Sequence, residues 1–180
     1  MEELSILADL IIERNEIGGR ISSIVGRPAM IGHVGEFIAS KIFAIRLEES
    51  ASARGIDGHF KTGKLNGDSV NIKWYSKQES ILDINPSARP DFYLVMTGPT
   101  TITSSSKGDI RPWHIEQVFL FDSEELLAKL KTRGVKIGIA TSVRKDDWRE
   151  AEIYPNQINT SYILTDSQKE LLNLFRLELR

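Results

Sequence analysis

Apolar residues recur along this chain with two different periods, and the switches between them mark out its elements. Leu4, Leu7 and Ile11 repeat at helical spacing among Glu2, Glu3, Glu13 and Arg14. That pattern predicts an amphipathic helix over residues 2–17, stopped by Gly18-Gly19. Pro28 is placed for the first turn of a second helix, whose face is drawn by Val34, Ile38, Ile42 and Ile45 and which runs to about Leu47. Gly32, Gly35, Ala39 and Ser40 put small side chains on its other faces, which lets it lie close to a neighbour, and Glu36 projects beside them.

A period of two then takes over. GIDGHFKTGKLNGDSVNIKWY, residues 55–75, reads as two strands around Asn66-Gly67, the strongest short hairpin signal. Alternation turns Val70, Ile72 and Trp74 to one face, expected against a helix, and Asn71, Lys73 and Tyr75 to the other. By the same rule Asp57, His59 and Lys61 share a face. SKQESILDINPSARP predicts a connecting loop with a short strand near Ser80–Asp83, and the unbroken apolar run DFYLVMTG predicts a buried central strand. TTITSSSKGD reads as an exposed, mobile loop and Trp113–Phe121 as another strand. Asp122 and Glu125 form a capping-box-like start for the helix SEELLAKLKTR, closed by Gly134. VKIGIATSV predicts a further strand, and Thr165 with Gln168 repeats the capping signature before a C-terminal helix over 166–179. With no repeat and no linker, the chain reads as one domain over 1–180. Its class is α/β (α+β), a mixed sheet flanked by helices.

Composition narrows the function classes. At 180 residues, 41% hydrophobic and 27% charged, the chain is of ordinary globular make-up and long enough for a real core. Cysteine is absent, which excludes disulfides and thiolate metal sites and suits a cytoplasmic location. The opening MEELSILADLII lacks a secretory-signal pattern, and no apolar run reaches the length of a membrane span. A net charge of −2 means that any affinity for nucleic acid must come from a local basic patch.

Such a patch and a chemical site coincide at the hairpin. An acid, Asp57, on one strand and an amide-x-lysine, Asn71-Ile72-Lys73, on the next suit a hard metal ion and a phosphate. Lys61, Lys64, Lys73 and Lys77 surround them with only Asp68 opposing; with His59 and Tyr75 they form a candidate phosphate-contacting surface, or else a solvated hairpin. Trp74 belongs to the core. His33 with Glu36, and His114 alone, make no zinc site, and neither a nucleophile elbow nor a phosphate-cradling glycine loop is present. Asp91, Asp146 and Asp147 read as caps or surface acids. Leu171, Leu172, Phe175 and Leu179 of the last helix dock on the core or form the face of a homodimer.

Taken in order, Glu36 in GHVGEF, Asp57 in GID and Asn71–Lys73 in NIK resemble the PD-(D/E)xK nuclease superfamily, the restriction-endonuclease-like fold. The resemblance covers roughly residues 31–140. It implies a core of the Val34–Leu47 helix, a three-strand meander around Asp57, Asn71–Trp74 and Phe92–Met96, the Glu124–Arg133 helix and a Val135–Ala140 strand. It also implies a metal-dependent nuclease acting on DNA in restriction, repair or mobile-element defence. Mg²⁺ or Mn²⁺ would be held by Asp57, the Asn71 side chain, the Ile72 backbone carbonyl and Glu36. Lys73 would orient water or neutralise phosphate charge. The chain departs from the family at position 71, where Asp, Glu or Gln is usual and Asn71 offers a shorter, neutral amide. The alternative is therefore a catalytically impaired nuclease-fold protein that binds nucleic acid or a protein partner.

Overall fold

A computed structural model describes residues 2–49, 55–100 and 112–177. The expected Ser/Thr-rich loop lies almost wholly outside these residues, as does Leu179.

The first helix, α1 (Glu2–Val25), is longer than its apolar pattern predicts and runs straight through Gly18-Gly19. Two glycines weaken a helix by roughly 1 kcal/mol each but end it only where φ turns positive. That happens at Gly26, with φ +73° and an N–H that still donates to the Ser22 carbonyl. No residue of α1 is buried.

The second helix, α2 (Ile31–Ile42), starts three residues after Pro28 and ends before Ile45. Ala44 takes a left-handed conformation, φ +52°, and turns the chain into a strand, β1 (Ile45–Leu47). Ile45 is therefore a strand residue of the core and not a helix residue. Gly35, Ile38, Ala39 and Ile42 are the buried face of α2. A Cβ on Gly35 would lie 3.0 Å from Trp74 Cβ, so the close approach expected of the small residues is real at Gly35, while Gly32 faces open space.

The main sheet has six strands in the order β1, β2 (Gly58–Phe60), β3 (Ser69–Tyr75), β5 (Phe92–Thr97), β6 (Gln117–Asp122) and β8 (Glu152–Tyr154). Two short strands, β4 (Ile81–Leu82) and β7 (Thr141–Ser142), pair separately. The class is thus a mixed α+β fold. The antiparallel meander is β1-β2-β3, one strand earlier than expected, and β5 joins β3 in parallel from Val70↔Phe92 to Tyr75↔Thr97. The β2–β3 connection is no two-residue hairpin. A single 3-10 turn at Gly63–Leu65 fills it, and Gly67 N–H closes the loop on the Phe60 carbonyl at 2.8 Å.

No strand forms over residues 135–140. Ile139 is 91% exposed there, and the Gly138 N–H turns to Thr141 Oγ1, so this stretch bonds as a loop. The sixth strand of the sheet is β8, reached through a helix the pattern did not announce, α4 (Lys145–Ala151). Its Trp148 sits edge-on between Phe119 and Phe121, with ring centroids 4.7 and 4.9 Å away. Nor is Asp147 a surface acid. It is 5% exposed and forked by both terminal nitrogens of Arg133, next to the C-terminus of α3 (Ser123–Thr132). Both expected caps are present: Asp122 accepts from Glu125 N–H, and Thr165 and Gln168 cap α5 (Asp166–Asn173) reciprocally.

Two apolar clusters cover the two faces of the sheet. Val70, Ile72, Trp74, Leu94 and Met96 pack under α2 and Leu172 of α5. Tyr93, Val95, Phe119 and Phe121 pack under α3, α4 and the β4–β7 pair, with Tyr75 at the margin. The alternation of β3 is therefore as the sequence predicts, and it turns Asn71 and Lys73 to the second face.

Candidate functional site

Asp57 lies one residue before β2 and is fixed by its backbone on both sides. Its N–H donates to the Val70 carbonyl and its carbonyl accepts from Glu48 N–H, each at 2.9 Å. One step further along β3 there is no β2 backbone left to pair. There the Asp57 side chain takes over, with Oδ2 accepting Ile72 N–H at 2.6 Å. In an extended strand the N–H and C=O of one residue point to the same side. The Ile72 carbonyl thus faces the side where β2 has run out.

Asn71 is 4% exposed. Its Nδ2 donates to the Gly55 carbonyl at 3.1 Å, which orients the amide, and its Oδ1 has no hydrogen-bond partner among the described residues. Such an orphaned acceptor costs roughly 1–3 kcal/mol, and native structures rarely keep one without an ion, a water or a function to satisfy it. Gly55 is itself required. Its φ is +84°, and a Cβ there would fall 2.3 Å from Ala88 Cβ.

Asp57, Asn71 and Lys73 line one cleft of about 240 Å³ with Gly55, Asp83, Asn85 and Tyr93. Lys73 makes neither an ion pair nor a hydrogen bond among the described residues. Burial pushes the Asp57 carboxyl above its ordinary range; the Ile72 N–H opposes this, the Glu36 charge adds to it, and Lys73 and Arg27 pull the other way.

Glu36 does not line the cleft. It rides on α2 and is ion-paired with Arg27, although its charge still reaches Asp57. His59 Nδ1 approaches Glu48 Oε1 at 3.0 Å without hydrogen-bond alignment, on the β1 side of β2. Lys61 and Lys64 are exposed around the 3-10 turn, and Lys77 faces Glu79 at 3.4 Å. The Tyr75 hydroxyl accepts Asp83 N–H at 2.9 Å; burial raises its pKa, and its half-buried ring packs on the second cluster.

Two residues of the cleft escape the sequence reading, Asp83 and Asn85. They flank Ile84, which is 2% exposed in the second cluster, and Leu82 before them is fully buried. The signal was the short alternation Leu82-Asp83-Ile84-Asn85, hidden in a stretch whose Pro and Ser content reads as loop. A larger depression, about 700 Å³, lies between Arg89–Phe92 and α3. One of its acids, Asp91, is committed to the Ser69 N–H and hydroxyl, which hold its pKa below the usual range. The smaller cleft keeps two polar groups without a partner among the described residues, Asn71 Oδ1 and the Lys73 ammonium. No three His, Cys, Asp or Glu side chains gather into a metal-holding group among the described residues, so the donors here are carboxylates and amides.

The chain matches no protein-family model, and no curated protein is detectably similar to it.

Proposed function

We propose that the protein is a metal-dependent nuclease that hydrolyses phosphodiester bonds of DNA at the Asp57–Asn71–Lys73 cleft. The observation that carries this reading is the cleft itself: a carboxylate meets an amide oxygen and a lysine that have no partner among the described residues. Hard oxygen donors without nitrogen or sulfur suit Mg²⁺ or Mn²⁺. Asp57, Asn71 Oδ1 and the Ile72 carbonyl would hold the ion. Mg²⁺ bound there supplies a polarised phosphoryl oxygen and a more acidic water. Lys73 stabilises the negative charge that develops on the phosphate, as a compact ammonium does well. Exposed Lys61 and Lys64 border the same meander and offer contacts to the phosphate backbone, which makes binding fall with salt.

One observation favours the non-catalytic alternative, a nuclease-fold protein that binds nucleic acid or a partner without cutting. Arg27 pairs with Glu36 outside the cleft, and Asn71 brings no charge, so the family's usual complement of acids is short.

Incubating the purified chain with supercoiled plasmid, linear DNA and RNA, with Mg²⁺ or Mn²⁺ and against EDTA, separates the two. Cleavage that needs metal and is lost in Lys73→Ala supports the enzyme. Cleavage that survives Lys73→Ala removes the assigned site, and binding without cleavage of any form selects the alternative.

A further inference from the structure

We infer that Asp83 is the second carboxylate of a divalent-cation site that it forms with Asp57 and Asn71 Oδ1. The inference rests on the cleft being a metal site, as in the nuclease reading, and not on its hydrolysing anything.

The starting point is Asn71 Oδ1, which at 4% residue exposure has no hydrogen-bond partner among the described residues. Either a donor or a cation must satisfy it. The other polar atoms of the cleft make a cation the better match. Among the described residues its acids are Asp57 and Asp83, its remaining amide is Asn85, and Lys73 is its one positive group. Two carboxylates against one ammonium leave net negative charge in a half-buried cleft, which attracts a cation and repels a free anion. A hard divalent ion takes six or more oxygens, of which the protein commonly supplies one or two carboxylates. Asp57 with a neutral amide is poor in charge; Asp57 with Asp83 is the usual complement.

Asp83 is also held as a ligand needs to be. Leu82 and Ile84 on either side are anchored in the second apolar cluster at 0% and 2% exposure. Its backbone N–H is tied to the Tyr75 hydroxyl, and its Oδ1 accepts Ala140 N–H at 2.7 Å. The backbone of Asp83 is thus tied to the last residue of β3, and its carboxylate to the residue just before β7. Fixing ligands before the ion arrives lowers the entropy cost of binding.

The test is a Mn²⁺ titration of the full chain followed by electron paramagnetic resonance. Wild type, Asp83→Asn, Asp83→Glu and the exposed control Asp146→Asn are compared, each checked for folding by thermal melting in EDTA. One Mn²⁺ per chain is expected, with affinity at least about tenfold weaker in Asp83→Asn, partly restored in Asp83→Glu and unchanged in the control. Because Asp83→Asn also alters the contact with Ala140, the second measurement uses wild type alone. Diamagnetic Mg²⁺ should shift the side-chain carboxyl carbon resonance of Asp83 together with that of Asp57, and spare that of Asp146. Wild-type binding that is unchanged in Asp83→Asn, or a carboxyl shift confined to Asp57, overturns the role of Asp83 and leaves the nuclease reading standing. Asp83-dependent binding without any cleavage upholds the site and removes the hydrolase. No Mn²⁺ binding by wild type overturns both.

Discussion

The Asp57 carboxylate occupies a rung of the sheet that the backbone of β2 does not reach, accepting the Ile72 N–H at 2.6 Å. This one bond places an acid beside Asn71 and Lys73 and ends the β2–β3 ladder. It also makes Asp57 costly. Burial, with Glu36 adding repulsion, raises its pKa above 3.8 despite the Ile72 N–H.

That shift has a definite sign. Below 3.8 Asp57 is protonated both folded and unfolded and changes nothing. Between 3.8 and its raised folded value, stability falls as pH rises, and above that value the full cost persists. Asp57→Asn removes the cost and can still accept the Ile72 N–H. In EDTA at pH 7 it should be more stable than wild type, by about 0.5–2 kcal/mol, as inactive variants at functional sites often are. The gain should vanish toward pH 3. Differential scanning calorimetry from pH 3 to 8 measures it, and equal melting temperatures throughout would refute the assignment.

Asn71→Asp should act in opposite directions with and without metal. Without it, a second carboxylate enters a position 4% exposed beside Asp57, and the Nδ2 bond to Gly55 is lost, costing roughly 1–3 kcal/mol. At about 2–4 °C per kcal/mol for a chain of this size, the melting temperature should drop by several degrees. Saturating Mg²⁺ should recover most of that loss and bind more tightly than in wild type. Paired melting curves in EDTA and in Mg²⁺ check both signs.

Gly55→Ala tests the orientation of the amide. The substitution must accommodate φ +84° and a Cβ 2.3 Å from Ala88, at a cost of about 1–3 kcal/mol. Because the Gly55 carbonyl is what orients Asn71, metal affinity should fall along with stability. Ala88→Gly in the same chain relieves the clash but not the dihedral strain, so the double variant should recover only part of the stability.

Asp147 supplies the contrary pH limb. Its pKa is lowered, chiefly by the hydrogen bonds from Arg133, so its contribution is present above 3.8 and disappears as pH falls through the depressed folded value. Asp147→Asn should lower the melting temperature at pH 7 and flatten the acid side of the stability profile, with no effect on metal binding. Calorimetry across pH 2–7 distinguishes this from the Asp57 behaviour.

α1 displays Leu7 and Ile11 at 51% and 48% exposure. Replacing both with Gln, a comparable helix former, should change the melting temperature by no more than the ~0.5 kcal/mol typical of open surface positions. A larger loss that deepens on dilution would show that these side chains are covered in solution.

Local rules made much of this protein legible. The alternation of Val70–Tyr75 assigned each side chain of β3 to its face, and the Asp122 and Thr165 caps located two helix starts, because strand pleating and cap hydrogen bonds involve neighbours in sequence. The order Glu36, Asp57, Asn71, Lys73 was equally plain as a pattern. Its meaning in space was not, because that depends on which strands and loops pack together.

Tertiary structure decided that Asp57, Asn71 and Lys73 share a cleft while Glu36 turns to Arg27. It decided that Ile45 belongs to a strand, once Ala44 turned left-handed, and that β5 runs parallel to β3. It also brought Asp83, at the end of the short strand expected near Ser80–Asp83, to the cleft, because Leu82 and Ile84 find their apolar partners only after the second face of the sheet has formed. A sequence states which side chains can do chemistry. Which of them meet depends on long-range burial, and no local period encodes that.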